Sequence, residues 1–200
     1  MKTAKIISII GHPIFQPTWM MAILLLSGLT RFTPGNDMTF LTVTFLTTFL
    51  IPGLIIVMMK KWNIVGSFEM ENRNDRPVPL FVLILFLYTT LRFFNKIQVF
   101  SIFSFYLTTV IIATILAIIV TFFWKISLHA LGWGTFVACL LVMTTASARV
   151  YLPYFIASIV IAGIVAAARL KMKAHDEAQI YAGFALGFAT VIVMYLILLF

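Results

Sequence analysis

Charged side chains and cysteines are scarce in this sequence, and each scarcity excludes a class of protein. Only 10% of the residues are charged, against about 25% in ordinary soluble domains, so the chain is not such a domain. The one cysteine, Cys139, lies within an apolar run, which leaves neither a disulfide framework nor a cysteine-based metal site. No small-residue cleavage site follows the basic start of the chain, so we expect no cleavable signal peptide.

Apolar residues, by contrast, make up 62% of the chain and gather in long segments. A helix that crosses the hydrocarbon core of a membrane needs about 20 of them. The segments are 14–29, 38–59, 78–91, 99–124, 125–147, 150–168 and 178–200. The first is short and carries Pro17, so we predict a tilted or re-entrant helix there, and we predict a kink at Pro52 and Gly53. The fold predicted is all-α: one integral membrane domain over 1–200, a polytopic transmembrane helix bundle with six to seven spans.

Three polar blocks interrupt these segments, at residues 69–77, 125–129 and 168–179. Two predicted crossings separate the first block from the second, and two more separate the second from the third. All three blocks are therefore predicted to face the same side of the membrane. Ionisable groups at a membrane boundary are costly to hold there, so this grouping indicates a functional site.

The blocks contain side chains suited to phosphate chemistry. These are the cations Arg73, Arg76, Lys125 and Arg169 and the histidines His129 and His175. Guanidinium groups fit the oxygens of phosphate, and histidine exchanges protons near neutral pH. Two histidines at one phosphate can divide the work, one attacking phosphorus and the other protonating the leaving oxygen. Each block alone is typical of a charged loop between spans, whereas the three together favour a phosphate site.

The spacing within the blocks resembles that of the type 2 phosphatidic acid phosphatase family, whose motifs read Lys-x6-Arg-Pro, Pro-Ser-Gly-His and Ser-Arg-x5-His-x3-Asp. The matching stretches here are Glu69-x6-Arg76-Pro77, Ile126-Ser127-Leu128-His129 and Ala168-Arg169-x5-His175-x3-Gln179. The resemblance covers a phosphatase-like core of about 69–187, and the first two segments carry none of it.

The resemblance implies an integral membrane phosphatase that hydrolyses a lipid phosphate or lipid diphosphate through a phosphohistidine intermediate. Arg76 and Arg169 would hold the phosphate, and Ser127 would assist through its backbone amide or hydroxyl. His175 would be the nucleophile, and His129 the general acid toward the leaving group. The resemblance implies no metal and no cofactor.

Two positions depart from the family pattern. Glu69 stands where the family has a phosphate-binding Lys, and Arg73 or Lys125 could restore the lost cation. Gln179 stands where the family has an Asp beside the nucleophile. A Gln carbonyl can hold the Nδ1–H tautomer of His175 but cannot balance the charge that grows on the ring. The alternative interpretation is therefore a catalytically impaired pseudo-phosphatase that binds anionic lipid or a membrane partner.

The net charge of +8 comes from short clusters between apolar runs rather than from one basic face, so we expect lipid phosphate and the bilayer as partners and no nucleic acid. Of the 14 Lys and Arg residues, ten fall on the predicted side of the site, which by the positive-inside rule favours the cytoplasm. The resemblance favours the outer face. We expect a bacterial inner-membrane protein with its site on the periplasmic face.

Overall fold

A computed structural model describes residues 1–28, 36–66, 72–97 and 101–199, and within them the secondary structure is entirely helical. The α-helices are α1 (Lys2–Ile10), α2 (Gln16–Leu26), α3 (Asp37–Phe45), α4 (Ile51–Lys61), α5 (Pro77–Lys96), α6 (Ser101–Phe123), α7 (Leu128–Ala146), α8 (Ala148–Lys171) and α9 (Glu177–Leu199). Short 3-10 turns at Pro13–Phe15 and Arg73–Asp75 precede α2 and α5, and a π-helical turn at Leu46–Leu50 joins α3 to α4.

Seven helical stretches are long and apolar enough to cross a membrane, which confirms the predicted all-α class and the upper end of the predicted number of spans. They comprise α1 with α2, α3 with α4, α5 with its preceding turn, and α6 to α9 each alone. The chain is an integral membrane protein. Apolar side chains such as Phe81, Ile156 and Leu198 are more than half exposed, as lipid-facing residues are.

The first span differs from the prediction of a short helix starting at Ile14. The apolar stretch begins at Lys2 and continues to Leu26 through the 3-10 turn. Pro13 occupies the first position of that turn, where the missing N–H of proline leaves no hydrogen bond unmade, so the chain continues in the same span. Neither Pro13 nor Pro17, which lies at the second position of α2, ends the helical stretch.

The chain divides into two compact units. The first comprises Met1–Gln16 and Ile126–Phe200, and it contains α1, α7, α8 and α9. Helix α7 packs against both α8 and α9, and α1 packs on α8. Two glycines on α9 allow it to approach α7 closely, because a side chain at Gly183 or Gly187 would strike the backbone oxygen of Ser127 or of Leu131.

The second unit comprises Pro17–Lys125. Helix α5 packs against α6, α4 and the π-helical turn, around aromatic contacts such as that of Phe94 with Phe103. A π-helical turn ends at Leu50, just before Pro52 and Gly53, at which the sequence predicted a kink. A proline ring clashes with the carbonyl four residues earlier, here that of Thr48, and a widened turn relieves that clash.

Candidate active site

The second and third polar blocks meet at one end of the first unit, where three helix ends lie together. Ser127 caps α7, its hydroxyl accepting from the backbone N–H of Ala130 at 3.3 Å, and His129 follows in the first turn. Arg169 lies in the last turn of α8 and is buried. Asp176 caps α9 by accepting from the backbone N–H of Gln179 at 2.8 Å, so the polar side chains are fixed by the ends of helices.

His175 and Gln179 make the contact that their spacing predicts. Nδ1 of His175 lies 2.7 Å from Oε1 of Gln179. Because an amide oxygen only accepts, Nδ1 carries the proton, and the lone pair of the neutral ring lies on Nε2. His175 itself is buried and precedes the first turn of α9, so the ring is held by the helix cap as well as by the hydrogen bond.

Ser127 is buried and tied into the frame of the site. Its backbone N–H donates to the carbonyl of Gln179 at 3.1 Å, which fixes the start of α7 against the first turn of α9. The backbone amide is thus committed to the fold and is not the phosphate donor that the resemblance implies. The hydroxyl accepts from Ala130 and keeps its own hydrogen for donation, so only the hydroxyl remains as a possible phosphate contact.

Ser8, on α1, joins Arg169 to His129. Nη1 of Arg169 donates to Oγ of Ser8 at 2.9 Å, and Nε2 of His129 lies 3.4 Å from the same oxygen. Nε2 of His129 also lies 3.2 Å from the backbone oxygen of Ser8. A carbonyl oxygen only accepts, so Nε2 of His129 carries a proton in this arrangement.

His12 also lies in this cluster. Its ring contacts that of His129 edge to face, with the centroids 4.8 Å apart. Nδ1 of His12 accepts from the backbone N–H of Ile14 at 3.2 Å, which caps the 3-10 turn. His12, Arg169 and His175 are the ionisable side chains close enough to act electrostatically on His129.

Sequence reasoning missed Ser8 and His12 because neither belongs to a polar block. Ser8 is one small polar residue in an apolar helix, and His12 stands next to a proline, which is typical of a loop. The sequence held one signal for His12: the chain has only three histidines, and the other two are in the polar blocks.

An open cavity of about 250 Å³ lies beside the cluster, between α7, α8 and α9. Ser127, His129 and Arg169 contribute to its wall, but almost all of the surface that faces the cavity is apolar. The other lining residues come from all three helices and are Trp133, Ile159, Ala162, Gly163, Val165, Ala166, Ile180, Tyr181 and Phe184. An apolar cleft therefore adjoins the polar cluster.

The remaining predicted phosphate-binding residues belong to the second unit. Arg76 is buried at the start of α5. Arg73 is exposed and donates from Nη1 to the backbone oxygen of Phe123 at 2.8 Å, which caps the end of α6 rather than presenting the guanidinium to a ligand. Lys125 is half-buried between α6 and α7, and Glu69 lies outside the described residues.

No group of three His, Cys, Asp or Glu side chains in the described parts of the chain is placed to hold a metal ion. The acid–base groups of the site are imidazoles and its nearest cation is a guanidinium, a set suited to anions. Comparison of the chain with models of known protein families, with curated proteins and with solved structures found no match.

Proposed function

We propose that the protein is an integral membrane phosphatase that hydrolyses a lipid phosphate or lipid diphosphate, as a divergent member of the type 2 phosphatidic acid phosphatase family. The observation that carries the proposal is the pair of complementary imidazoles. Hydrogen bonding leaves the lone pair of His175 on Nε2, whereas Nε2 of His129 carries a proton. Attack needs the free lone pair at Nε2 of His175, and proton donation needs a hydrogen at Nε2 of His129, which acts as an acid when its ring is the imidazolium.

In the first step, Nε2 of His175 attacks phosphorus, and the bond between phosphorus and the lipid oxygen breaks. His129, as the imidazolium, gives its Nε2 proton to that leaving oxygen and becomes a neutral imidazole, so the lipid departs as a neutral alcohol, or as a monophosphate if the substrate is a diphosphate. The charge that grows on His175 is met by the dipole of the Gln179 amide rather than by a carboxylate. We therefore expect the step to be slow.

In the second step, water attacks the phosphorus of phosphohistidine, and His129 takes the proton of that water. The bond between Nε2 of His175 and phosphorus breaks, inorganic phosphate leaves, and both imidazoles return to their starting states. Arg169 neutralises the equatorial oxygens during both transfers. Such fixed positive charge stabilises the transition state without reorganising in each cycle.

The apolar cleft supports a lipid substrate over a soluble phosphate. A ligand with its phosphate at Arg169 and His129 would place the adjoining chain along α8 and α9, where the wall is apolar. Burying a hydrocarbon chain there contributes affinity in proportion to the area removed from water, which a sugar phosphate or inorganic phosphate cannot supply.

The test is phosphate release from phosphatidic acid, phosphatidylglycerophosphate and a polyprenyl diphosphate by the protein in detergent. We expect release by the wild type and loss of at least about a thousandfold in His175→Ala, since the intermediate can no longer form. Equal release by the two proteins would eliminate the proposed nucleophile. Folded yield of both is compared first, because His175 is buried.

The second candidate function is a pseudo-phosphatase that binds anionic lipid or a membrane partner without turnover. Two observations favour it: Gln179 is neutral, and atoms of Ser8 already occupy hydrogen-bonding positions on Arg169 and His129. This function predicts that dioctanoyl phosphatidic acid binds to His175→Ala as to the wild type and not to Arg169→Ala, with no phosphate release by any of them. Turnover by the wild type would rule it out.

We further propose the bacterial inner membrane as the location, with the site on the periplasmic face. Lys171 is exposed at the site end of α8, and Cys139 is buried and shielded from thiol reagents. A Lys171→Cys variant should therefore react with a membrane-impermeant maleimide added to intact spheroplasts. Labelling only after lysis would place the site in the cytoplasm.

A further inference from the structure

We infer that Ser8 is a positioning residue of the site, through which the N-terminal helix α1 holds both Arg169 and His129 in place for phosphate chemistry. The inference rests on the proposed function but names a part of the chain that the family resemblance does not cover. Ser8 is 121 residues from His129 and 161 from Arg169 along the chain, so its contacts with them arise only from the packing of α1 in the first unit.

The contact with Arg169 restricts the longest side chain of the site. Arginine loses substantial rotamer freedom when it is ordered, and a phosphate-binding guanidinium must be ordered before the ligand arrives if binding is to be tight. The 2.9 Å hydrogen bond from Nη1 to Oγ of Ser8 fixes one edge of the guanidinium. The geometry thus pre-orders the group that receives the phosphate.

The contact with His129 keeps a hydrogen on one ring nitrogen. The backbone oxygen of Ser8 accepts from Nε2 of His129 at 3.2 Å, so this nitrogen carries a hydrogen whether the ring is neutral or the imidazolium. The hydroxyl of Ser8 lies 3.4 Å from the same nitrogen. A leaving oxygen that replaced the backbone oxygen of Ser8 at Nε2 would receive that proton from the imidazolium.

Helix α1 is built into the first unit rather than resting on its surface. The indole Nε1 of Trp133 donates to the backbone oxygen of Gly11 at 3.0 Å. A side chain at Gly11 would strike Val165, and one at Gly132 would strike Pro13. These close approaches oppose withdrawal of the helix, so the contacts favour a fixed wall of the site over a removable plug.

The experiment compares Ser8→Ala with the conservative Ser8→Thr, which keeps a hydroxyl. Ser158→Ala is the matched control, because Ser158 is a buried serine on α8 whose hydroxyl donates to the backbone oxygen of Phe155. Each protein is assayed for hydrolysis and binding of dioctanoyl phosphatidic acid. We expect Ser8→Ala to lose about tenfold in kcat/KM and in affinity, as for a lost hydrogen bond to a charged group. Ser8→Thr and Ser158→Ala should stay within about twofold of the wild type.

A second measurement needs no ligand. In ¹⁵N-arginine spectra of the detergent-solubilised protein, the guanidinium of Arg169 should give a resolved, slowly exchanging Nη–H signal in the wild type and in Ser8→Thr. That signal should broaden or vanish in Ser8→Ala. If the wild type neither binds nor hydrolyses the probe, the proposed function fails, while these spectra still decide the role of Ser8. An unchanged Arg169 signal in Ser8→Ala, or a gain of turnover as expected of a displaced plug, would overturn the inference.

Discussion

Hydrogen bonds between helices involve different side chains in the two units, although buried hydroxyls in both units mostly bond carbonyls of their own helix, as Thr135 and Ser158 do in the first unit. In the second unit, most buried threonines bond the carbonyl one turn back in their own helix, as Thr44 does to Phe40 and Thr114 to Val110. In the first unit, Ser8, Arg169 and Trp133 bond to partners on other helices or turns. A hydroxyl bonded within its own helix specifies nothing about its neighbours, whereas a bond between helices fixes their relative placement.

The difference shows where polar side chains form hydrogen bonds between helices. Between helices in a membrane, hydrogen bonds contribute modestly to stability, so a concentration of them at one end of one unit is better explained by a site than by the fold. The second unit also has bonds between helices, since Thr90 donates to Thr47 at the π-helical turn and Ser104 donates to Asn95. The first of these accompanies a local irregularity, and no ionisable side chain takes part in either.

After the loss of the proposed nucleophile, the largest expected effect comes from removing the guanidinium at the end of α8. Arg169→Ala should lower kcat/KM with a lipid phosphate by about 10²–10³, the range seen when one charge-stabilising donor is lost from an active site. Arg149→Ala is the matched control, since Arg149 is exposed at the other end of the same helix. Comparable losses in the two variants would show that the site end of α8 has no special role.

The next largest effect is on stability and concerns the packing of α7 on α9. A Cβ at Gly187 would press on the backbone oxygen of Leu131, so Gly187→Ala should destabilise the protein by about 1–3 kcal/mol. In the second unit a Cβ at Gly53 meets nothing, and Gly53→Ala should be neutral or stabilising. Thermal unfolding in detergent measures both. Equal melting temperatures would contradict the close approach.

A smaller gain is expected from Gln179→Asp. The carboxylate would accept the same Nδ1–H of His175 and stabilise the imidazolium that the amide cannot, so turnover should rise at least about tenfold. Folded yield is checked first, because the change adds charge at the membrane boundary. A well-folded variant with no increase in phosphate release would shift the assignment to the lipid-binding pseudo-phosphatase.

The smallest effect is expected for the threonines of the second unit. In Thr44→Val the isosteric side chain gives up a hydrogen bond to a carbonyl of its own helix, so stability should change by about 1 kcal/mol or less. Phosphate release should be unchanged. A large loss of activity in Thr44→Val would break the distinction drawn between the two units.

Local spacing in the sequence predicted much of this structure, whereas contacts that depend on helix packing could not be predicted from it. The apolar runs predicted the helices, and the four-residue separation of His175 and Gln179 predicted that their side chains are in contact. The predicted start of the first span at residue 14 was wrong, because the helical stretch begins at Lys2 and continues through the 3-10 turn that Pro13 opens. Ser8 could not be found, because its contacts depend on how α1 packs and no periodicity records that.

The most direct test of the central claim is to trap the covalent intermediate. Rapid acid-free quenching of the protein with a ³²P-labelled lipid phosphate should give label that is stable in alkali, labile in acid and located on the peptide containing His175. Gln179→Asp should raise the rate at which this label forms, and His129→Ala should slow its formation from an alkyl phosphate. Phosphate release by the wild type with no label on His175, or with label retained in His175→Ala, would contradict the account.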